Sequence, residues 1–364
     1  MHRRSALCSL FPFIFIALFS LHAHAAETET KPRADLSEQV THLSWTILND
    51  IISEIGARPA GSDQERKAIH QFARQYWGAY SSQPVPFTIK ETSLSSSNAW
   101  ITLPGAHKTD KHIIIGAHAD STGQNQGSQG ATDNGVAMAL LLALGDKLRE
   151  KSLNYTVTLV LFGAEEVGHF GSKAFVQALQ ADSEFLTGAP SPVAMINLDT
   201  IAGGDHLYIH SPTQTPYQRC QDSDSFNASP AFRNTLLHTA QAMNLPFQLH
   251  PAFPGFAEGE TGEWSDHVAF ACAGIPIAYI EATNFGIKGQ EGYDGYSQGL
   301  HPALWDCLQS EAKTACDPAS EQRWGRIWHT RADQLSELET LYPGRLQTQL
   351  SAVTALLVAY LTGA

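Results

Sequence analysis

Short runs rich in Ile and Val alternate with segments of helical periodicity through the middle of the chain, and this alternation limits the possible folds more than any other feature. The strand-like runs are HIIIGAH (112–118), YTVTLVLF (155–162) and PVAMINLD (192–199). Apolar residues at helical spacing lie between them, at 135–150 and in GSKAFVQALQ. Strands that are apolar along their whole length and separated by helices are typical of a parallel sheet covered on both faces. The sequence therefore predicts an α/β fold, a three-layer α/β/α sandwich around a mixed, mostly parallel sheet.

The same pattern continues on both sides of this region. Helices are predicted at 35–56, 63–80 and 342–361, two strands joined by a polar turn in PFTIKETSLSSSNAWITLPG, and further strands in HLYIH and IPIAYIEA. Residues 285–328, rich in Gly, Trp and Cys, break the pattern and are interpreted as an inserted loop region. We expect one domain over residues 26–364.

Residues 1–25 have the layout of a secretory signal peptide. Two arginines precede an apolar stretch, and Ala23-His24-Ala25 provides a small-residue cleavage site. The alternative is an uncleaved anchor, since the apolar stretch approaches the shortest length that spans a bilayer, about 17 residues. We expect cleavage after Ala25 or Ala26, a periplasmic or secreted mature protein, and no stable membrane association after cleavage.

The charge balance excludes some partners. Loss of Arg3 and Arg4 with the signal peptide changes the formal net charge from −13 to −15. A surface this acidic disfavours nucleic acid and anionic membranes and attracts cationic ligands.

Four cysteines remain after signal-peptide removal. Cys307 and Cys316, nine residues apart in a polar segment, are the expected disulfide pair, because export makes disulfides possible. Cys272, inside the apolar AFACAGIP, is expected to be a free thiol. No CxxC spacing indicates a cysteine zinc site.

Acidic residues and one histidine gather where the predicted strands end. They are His118 and Asp120 after the first strand, Asp133 before the next helix, Glu165 and Glu166 after the second strand, and Asp199 after the third. Ligands of open parallel sheets bind beyond the carboxyl ends of the strands. One His with several carboxylates at that edge favours a site for a divalent cation such as zinc.

Glu165 and Glu166 stand side by side after the buried run TLVLF, with Gly163 and Gly168 on either flank. Adjacent carboxylates at the end of a buried segment repel each other and lose hydration, so a metal bound to Glu166 would compensate them. Glu165 is then placed to act as a general base that takes a proton from the attacking water. Alone, such a pair is also typical of an acidic first helical turn.

Six motifs together resemble the M28 family of co-catalytic zinc aminopeptidases, over about residues 35–362. They are HAD (118–120), GATDNG (130–135), GAEEVGHFGS (163–172), NLD (197–199), SDHVAF (265–270) and HTRADQL (329–335), in the family's order and approximate spacing. The resemblance implies hydrolysis of the N-terminal peptide bond of peptides or proteins.

The resemblance also implies a role for each residue at the site. Two zinc ions would be bound per chain, one by His118 and Asp199, the other by Glu166 and His329, with Asp133 bridging both. Glu165 would be the general base and Asp120 the carboxylate that orients His118. Asp266 and His267 are expected to line the substrate pocket.

Two departures from the family pattern leave alternatives open. Thr132 stands where many relatives have a second Asp, and Val136-Ala137 replaces a Ser-Gly pair. GATD with an apolar continuation also resembles the animal-type glutaminyl cyclases, which share the fold, bind one zinc and form N-terminal pyroglutamate. The second alternative is a metal-free binding domain, although such relatives usually lack several ligands.

An acidic segment adjoins one of these motifs. FAEGETGEWSD contains Glu258, Glu260, Glu263 and Asp266 within nine positions. A solvated acidic loop is one interpretation. If one acid reaches the pocket, it would attract a Lys or Arg side chain of the substrate, and Glu263 is the candidate for this substrate-binding role.

Overall fold

A computed structural model describes residues 36–363, apart from 107–108, 183, 221–224 and 294. The signal peptide predicted for residues 1–25 lies outside the described residues. In the part of the chain that is described, no helix combines the length and apolar character needed to cross a membrane.

Helices cover both faces of one sheet. Their bounds are α1 (36–54), α2 (Asp63–Phe72), α3 (Val136–Leu148), α4 (Phe170–Ala181), α5 (Ala231–Ala242), α6 (His267–Cys272), α7 (Leu335–Leu341) and α8 (Arg345–Thr362). The final helix predicted at 342–361 corresponds to α8, and the short α7 precedes it.

Among the described residues, the main sheet has nine strands. They are β1 (Ser81–Ile89), β2 (Thr92–Leu103), β3 (His112–His118), β4 (Thr156–Phe162), β5 (Pro192–Leu198), β6 (His206–Pro212), β7 (Phe247–Gln248), β8 (Glu260–Thr261) and β9 (Ile277–Thr283). Their order is β1-β2-β4-β3-β5-β9-β6-β7, and β8 pairs with β6. The central strands β4, β3, β5 and β9 are parallel, whereas β1 with β2, β2 with β4 and β6 with β9 are antiparallel. The predicted mixed sheet is confirmed.

Alternate residues of the central strands enter separate hydrophobic clusters on the two faces of the sheet. Ile113 and Ile115 pack into the larger cluster, which includes α3 and α8, and Ile114 packs into the smaller cluster with α4 and α6. Because side chains of a strand alternate between faces, a strand covered on both sides must be apolar throughout. This packing explains the uninterrupted Ile run.

The segment 285–328 has little regular structure but is not detached from the domain. A short hairpin, β10 (Leu308–Gln309) with β11 (Thr314–Ala315), lies within it. The disulfide Cys307–Cys316 closes the hairpin, with 5.4 Å between the Cα atoms. Trp305 and Trp324 pack into the larger hydrophobic cluster.

Cys272 is not the free thiol that its apolar surroundings suggest. It forms a disulfide with Cys220, 52 residues earlier, with 5.1 Å between the Cα atoms. Cys272 ends α6 and Cys220 ends a short turn at Gln218–Cys220. The cross-link therefore ties this turn to α6, in a region where both cysteines pack into the smaller cluster.

Candidate active site

The ends of three adjacent parallel strands bring the predicted ligands together. His118 is the last residue of β3, which lies between β4 and β5. Glu165 and Glu166 follow β4, and Asp199 follows β5 directly. The edge of the sheet therefore collects these side chains as the strand order requires.

Asp133 lies between the two histidines. Its Oδ1 is 3.2 Å from His118 Nε2, and its Oδ2 is 3.0 Å from His329 Nε2. His118 Nε2 is also 3.2 Å from Asp199 Oδ1, and His329 Nε2 is 3.2 Å from Glu166 Oε2. Two triads thus share one carboxylate, and the donor atoms within each triad lie within 4.8 Å of one another.

The donor set of these triads fits divalent cations. Imidazole and carboxylate are suitable zinc ligands. Oε1 of Glu166 is buried and has no hydrogen-bond partner among the described residues, so it has an unused acceptor. Burial, and then the charge of Asp133, raise the pKa of Glu166 to about 7. Burial lowers the pKa of His329, but hydrogen bonds and charge from Asp133 and Glu166 outweigh it and raise that pKa to about 10. The site therefore concentrates negative charge that a cation would compensate.

Asn134 couples the Asp133 segment to the end of β5. Its Nδ2 donates to the carbonyl of Leu198 at 2.8 Å, and its Oδ1 accepts from the amide of Thr200 at 3.2 Å. Asp199 lies between these two residues and accepts a hydrogen bond from Ser265 Oγ at 2.7 Å. Two of the predicted ligands are therefore held by one network.

Asp120 organises the adjacent glutamates as well as His118. Its carboxylate accepts the backbone amides of Glu165 at 3.0 Å and Glu166 at 3.1 Å. The ring Nδ1 of His118 is 3.1 Å from the backbone carbonyl of Asp120 and 3.6 Å from the carboxylate. Donation from Nδ1 to that carbonyl leaves Nε2 of His118 as the nitrogen that faces Asp133 and Asp199.

Close backbone approaches explain two glycines near the site. A Cβ on Gly163 would lie 2.0 Å from Ser96 Oγ and 2.9 Å from a carboxylate oxygen of Glu65. A Cβ on Gly123 would lie 2.4 Å from the carbonyl oxygen of His329, and Gly123 has φ +76°. These positions let the loops carrying Glu165 and His329 pack closely.

Positive φ values occur at residues beside the candidate ligands. They are 56° at Ala164, 50° at Thr200 and 58° at His329 itself. Side chains larger than glycine rarely adopt this conformation, and it occurs preferentially at functional sites.

Two buried residues outside the predicted ligand set, Arg58 and Asp333, support the site. Arg58 is fully buried and donates to the carbonyls of Ala119 and Gly130, so it holds the loops that carry Asp120 and Asp133. No sequence pattern distinguishes this arginine from a surface one.

Asp333, in the HTRADQL motif, accounts for the departure at Thr132. Its Oδ1 accepts the amide of Thr132 at 2.7 Å and the hydroxyl at 2.8 Å. An Asp at this position would face Asp333 with like charge, so the hydroxyl is the better partner here.

The triads open into a cleft of about 140 Å³. Besides the candidate ligands and Glu165, its wall contains Thr200, Trp264, Tyr279, Glu281, Tyr296 and Trp328. Glu281 is 3% exposed and accepts the Tyr279 hydroxyl at 3.2 Å, and its other oxygen is 2.8 Å from His210 Nε2. Burial, and then Asp199, raise the pKa of Glu281 to about 8. Apart from the candidate ligands and Glu165, Glu281 is the acidic residue in the wall of this cleft.

The residues expected to line the pocket lie elsewhere. Asp266 and His267 are fully buried and do not belong to the cleft wall, and His267 Nε2 is bonded to the carbonyl of Gly262 at 2.8 Å. Burial raises the pKa of Asp266 to about 7. Glu263 lines a neighbouring groove, where it is paired with Arg219 at 3.6 Å. The expectation for these three side chains is corrected: none of them contributes to the wall of the 140 Å³ cleft.

Sequence comparisons identify relatives over most of the chain. The model of Peptidase family M28 matches residues 98–354. The chain is 25% identical over 356 residues to the alkaline phosphatase isozyme conversion protein of Escherichia coli (strain K12), covering 93% of this chain and 92% of that protein.

Solved structures share the fold at lower identity. A zinc aminopeptidase from Bacillus subtilis superposes with a TM-score of 0.58 and 15% identity, covering 89% of this chain and 95% of the other. The glutaminyl cyclase of an Acidobacteriales bacterium gives a TM-score of 0.59 and 18% identity, covering 88% and 94%. Since both kinds of enzyme match equally well, the fold alone does not separate them.

Proposed function

The chain belongs to peptidase family M28, as its motifs predict, and from this we propose that it is an exported aminopeptidase that uses two zinc ions and a glutamate base. The proposal rests on the two triads that share Asp133. A single-metal site needs only one such triad, whereas a carboxylate with one oxygen toward each histidine is suited to bridge two metals.

The proposed ligands are those of the two triads. One zinc would be held by His118, Asp133 and Asp199, and the other by Asp133, Glu166 and His329. When bound, such ions supply Lewis-acid activation of the scissile carbonyl and of the attacking water.

Glu165 is the proposed general base. It takes the proton from the attacking water and passes it to the leaving amine. Glu165 is 6% exposed and has a pKa raised well above the usual range by burial, which favours proton uptake. Asp120 holds the backbone of Glu165 and Glu166 through their amides, so base and ligand keep their relative positions.

The size and charge of the cleft suit recognition of one residue of the substrate, the terminal one. Its volume of about 140 Å³ is below the roughly 300–1,000 Å³ of sites for drug-sized ligands. Glu281 in the wall is the acid available to a Lys or Arg side chain, whose charge would lower the raised pKa of Glu281 and favour its carboxylate form. Trp264, Tyr296 and Trp328 supply aromatic faces that suit a cation. The proposed preference for basic N-terminal residues therefore rests on Glu281 in place of Glu263.

Export is supported by the cysteines and by the N-terminal sequence. Two disulfides, Cys220–Cys272 and Cys307–Cys316, suit an oxidising compartment. The proposed location is the periplasm or the exterior, and N-terminal sequencing of the exported protein should find a start at residue 26 or 27.

A panel of aminoacyl anilides and N-terminal Gln peptides tests the activity. We expect anilide hydrolysis that Glu165→Gln lowers at least about 100-fold with zinc content unchanged, in line with general-base contributions. Formation of pyroglutamate without anilide hydrolysis would instead identify a glutaminyl cyclase. Near-normal turnover of Glu165→Gln would remove the base assignment.

A further inference from the structure

His169 connects the proposed base to a cationic side chain. Its Nε2 lies 3.2 Å from Glu165 Oε1, and its Nδ1 lies 2.9 Å from Arg219 Nη1. Glu165 and His169 are each 6% exposed, so water has little access to the contact between these two side chains. Arg219 reaches this position from a turn 50 residues further along the chain.

The contact with Arg219 determines the tautomer of His169. A guanidinium group only donates hydrogen bonds, so Nδ1 must accept. The imidazole proton then resides on Nε2, which donates to Glu165 Oε1. Burial, and then the charge of Arg219, lower the pKa of His169 to about 3, so the ring is neutral. The opposite tautomer would direct a lone pair at the carboxylate of Glu165 and repel it.

Arg219 is itself held in place. Glu263 Oε2 accepts the backbone amide of Arg219 at 3.1 Å and lies 3.6 Å from its Nε. The next residue, Cys220, is cross-linked to Cys272 at the end of α6. The acid that the sequence suggested for substrate binding therefore fixes the arginine that faces His169.

We infer that His169 is a positioning residue for Glu165, and that Arg219, oriented by Glu263, sets the tautomer in which His169 acts. The inference rests on the proposed aminopeptidase function. Donation from His169 occupies Oε1 of Glu165 and fixes the plane of the carboxylate, which leaves Oε2 to take the proton of the attacking water.

Replacements at His169 separate hydrogen bonding from packing. His169→Gln keeps an N–H donor for Glu165 and an oxygen acceptor for Arg219, whereas His169→Leu removes both. We expect His169→Leu to lower kcat for an aminoacyl anilide about 10- to 100-fold, the scale of a misplaced catalytic group. KM and the zinc content should be unchanged, and His169→Gln should recover most of the loss.

Arg219 provides a second test that does not depend on a buried substitution, because its side chain is 45% exposed. Arg219→Met removes the donor and keeps the aliphatic stem, whereas Arg219→Lys keeps a cationic donor. We expect Met to lower kcat by about tenfold and Lys to lower it less. Arg323→Gln is the matched control, since Arg323 forms an exposed ion pair with Asp306 away from the cleft.

The outcomes distinguish this inference from the proposed function. A wild-type protein without aminopeptidase activity would overturn both. Loss of activity in Glu165→Gln together with wild-type kcat in His169→Leu and Arg219→Met would keep the proposed function and overturn the inference. Equal losses in His169→Leu and His169→Gln, or a rise in KM alone, would also overturn it, because packing or substrate binding would then explain the effect.

Discussion

Replacement of Asp120 by Asn should weaken catalysis and zinc binding together. The carboxylate is fully buried and accepts the amides of Glu165 and Glu166, with its two oxygens used for one amide each. Asn keeps one acceptor oxygen but directs an NH₂ group at the other amide. One bond is lost, and the remaining bond no longer has a charged acceptor.

The magnitude follows from the hydrogen bonds. A hydrogen bond to a charged group contributes about 1.5–3 kcal/mol. Since about 1.4 kcal/mol corresponds to a factor of ten, loss of one such bond at Asp120 predicts a fall of about 10- to 100-fold in kcat/KM. A similar fall in zinc affinity is expected, because Glu166 is a proposed ligand and groups that orient ligands contribute about 10- to 100-fold.

The assay measures kcat/KM on an aminoacyl anilide and zinc affinity by competition with a chelator. Asp306→Asn is the control, because Asp306 also accepts two successive backbone amides, those of Gln322 and Arg323, on an exposed loop. We expect the control to keep wild-type kcat/KM and zinc affinity. An Asp120→Asn protein that behaves like the control would refute the reasoning that this carboxylate positions Glu165 and Glu166.

Three further predictions concern specificity, covalent stability and pH. Glu281→Gln should lower kcat/KM for arginyl anilide by about tenfold and leave leucyl anilide nearly unchanged; equal effects on both substrates would exclude a charge-recognition role. Replacing Cys220 and Cys272 by Ala should lower the free energy of unfolding in urea by about 4 kcal/mol, from the loop entropy of a 52-residue separation; an unchanged midpoint would contradict this. Burial, and then the charge of Asp120, raise the pKa of Glu65 to about 7, so the free energy of unfolding falls as pH rises from about 4.5 to 7. The stability advantage of wild type over Glu65→Gln should therefore be smaller at pH 8 than at pH 5. A stability difference that does not change with pH would disprove the shift.

The central sheet and the gathering of site residues could be predicted because both follow from periodicity. Strands apolar along their whole length indicate a covered parallel sheet, and His118 and Asp199 come at the ends of such strands. Parallel strands place their carboxyl ends at one edge, so the proximity of these side chains follows from the strand pattern.

Contacts between distant segments could not be predicted in the same way. The Cys220–Cys272 disulfide and the His169–Arg219 hydrogen bond join residues 52 and 50 positions apart, and no local pattern encodes either. The apolar surroundings of Cys272 were a misleading signal, because a buried disulfide and a buried thiol both favour such surroundings.

The sequence contains a signal for Glu281, the acid of the cleft wall that is neither a proposed ligand nor the proposed base. The density of acidic residues favoured Glu263 in the acidic loop as the substrate-binding acid. A charged residue that interrupts a buried strand is a more informative signal of such a role. Glu281 lies within IAYIEAT of β9, where all seven residues are buried. A carboxyl group in that setting needs a partner or a function.

The zinc content of the purified mature protein, measured as moles of metal per mole of chain, tests the two-metal proposal most directly. The shared carboxylate of Asp133 predicts two zinc ions per wild-type chain, and fewer than two in Glu166→Gln because that change removes a proposed ligand. One zinc per wild-type chain, or none, would contradict the account.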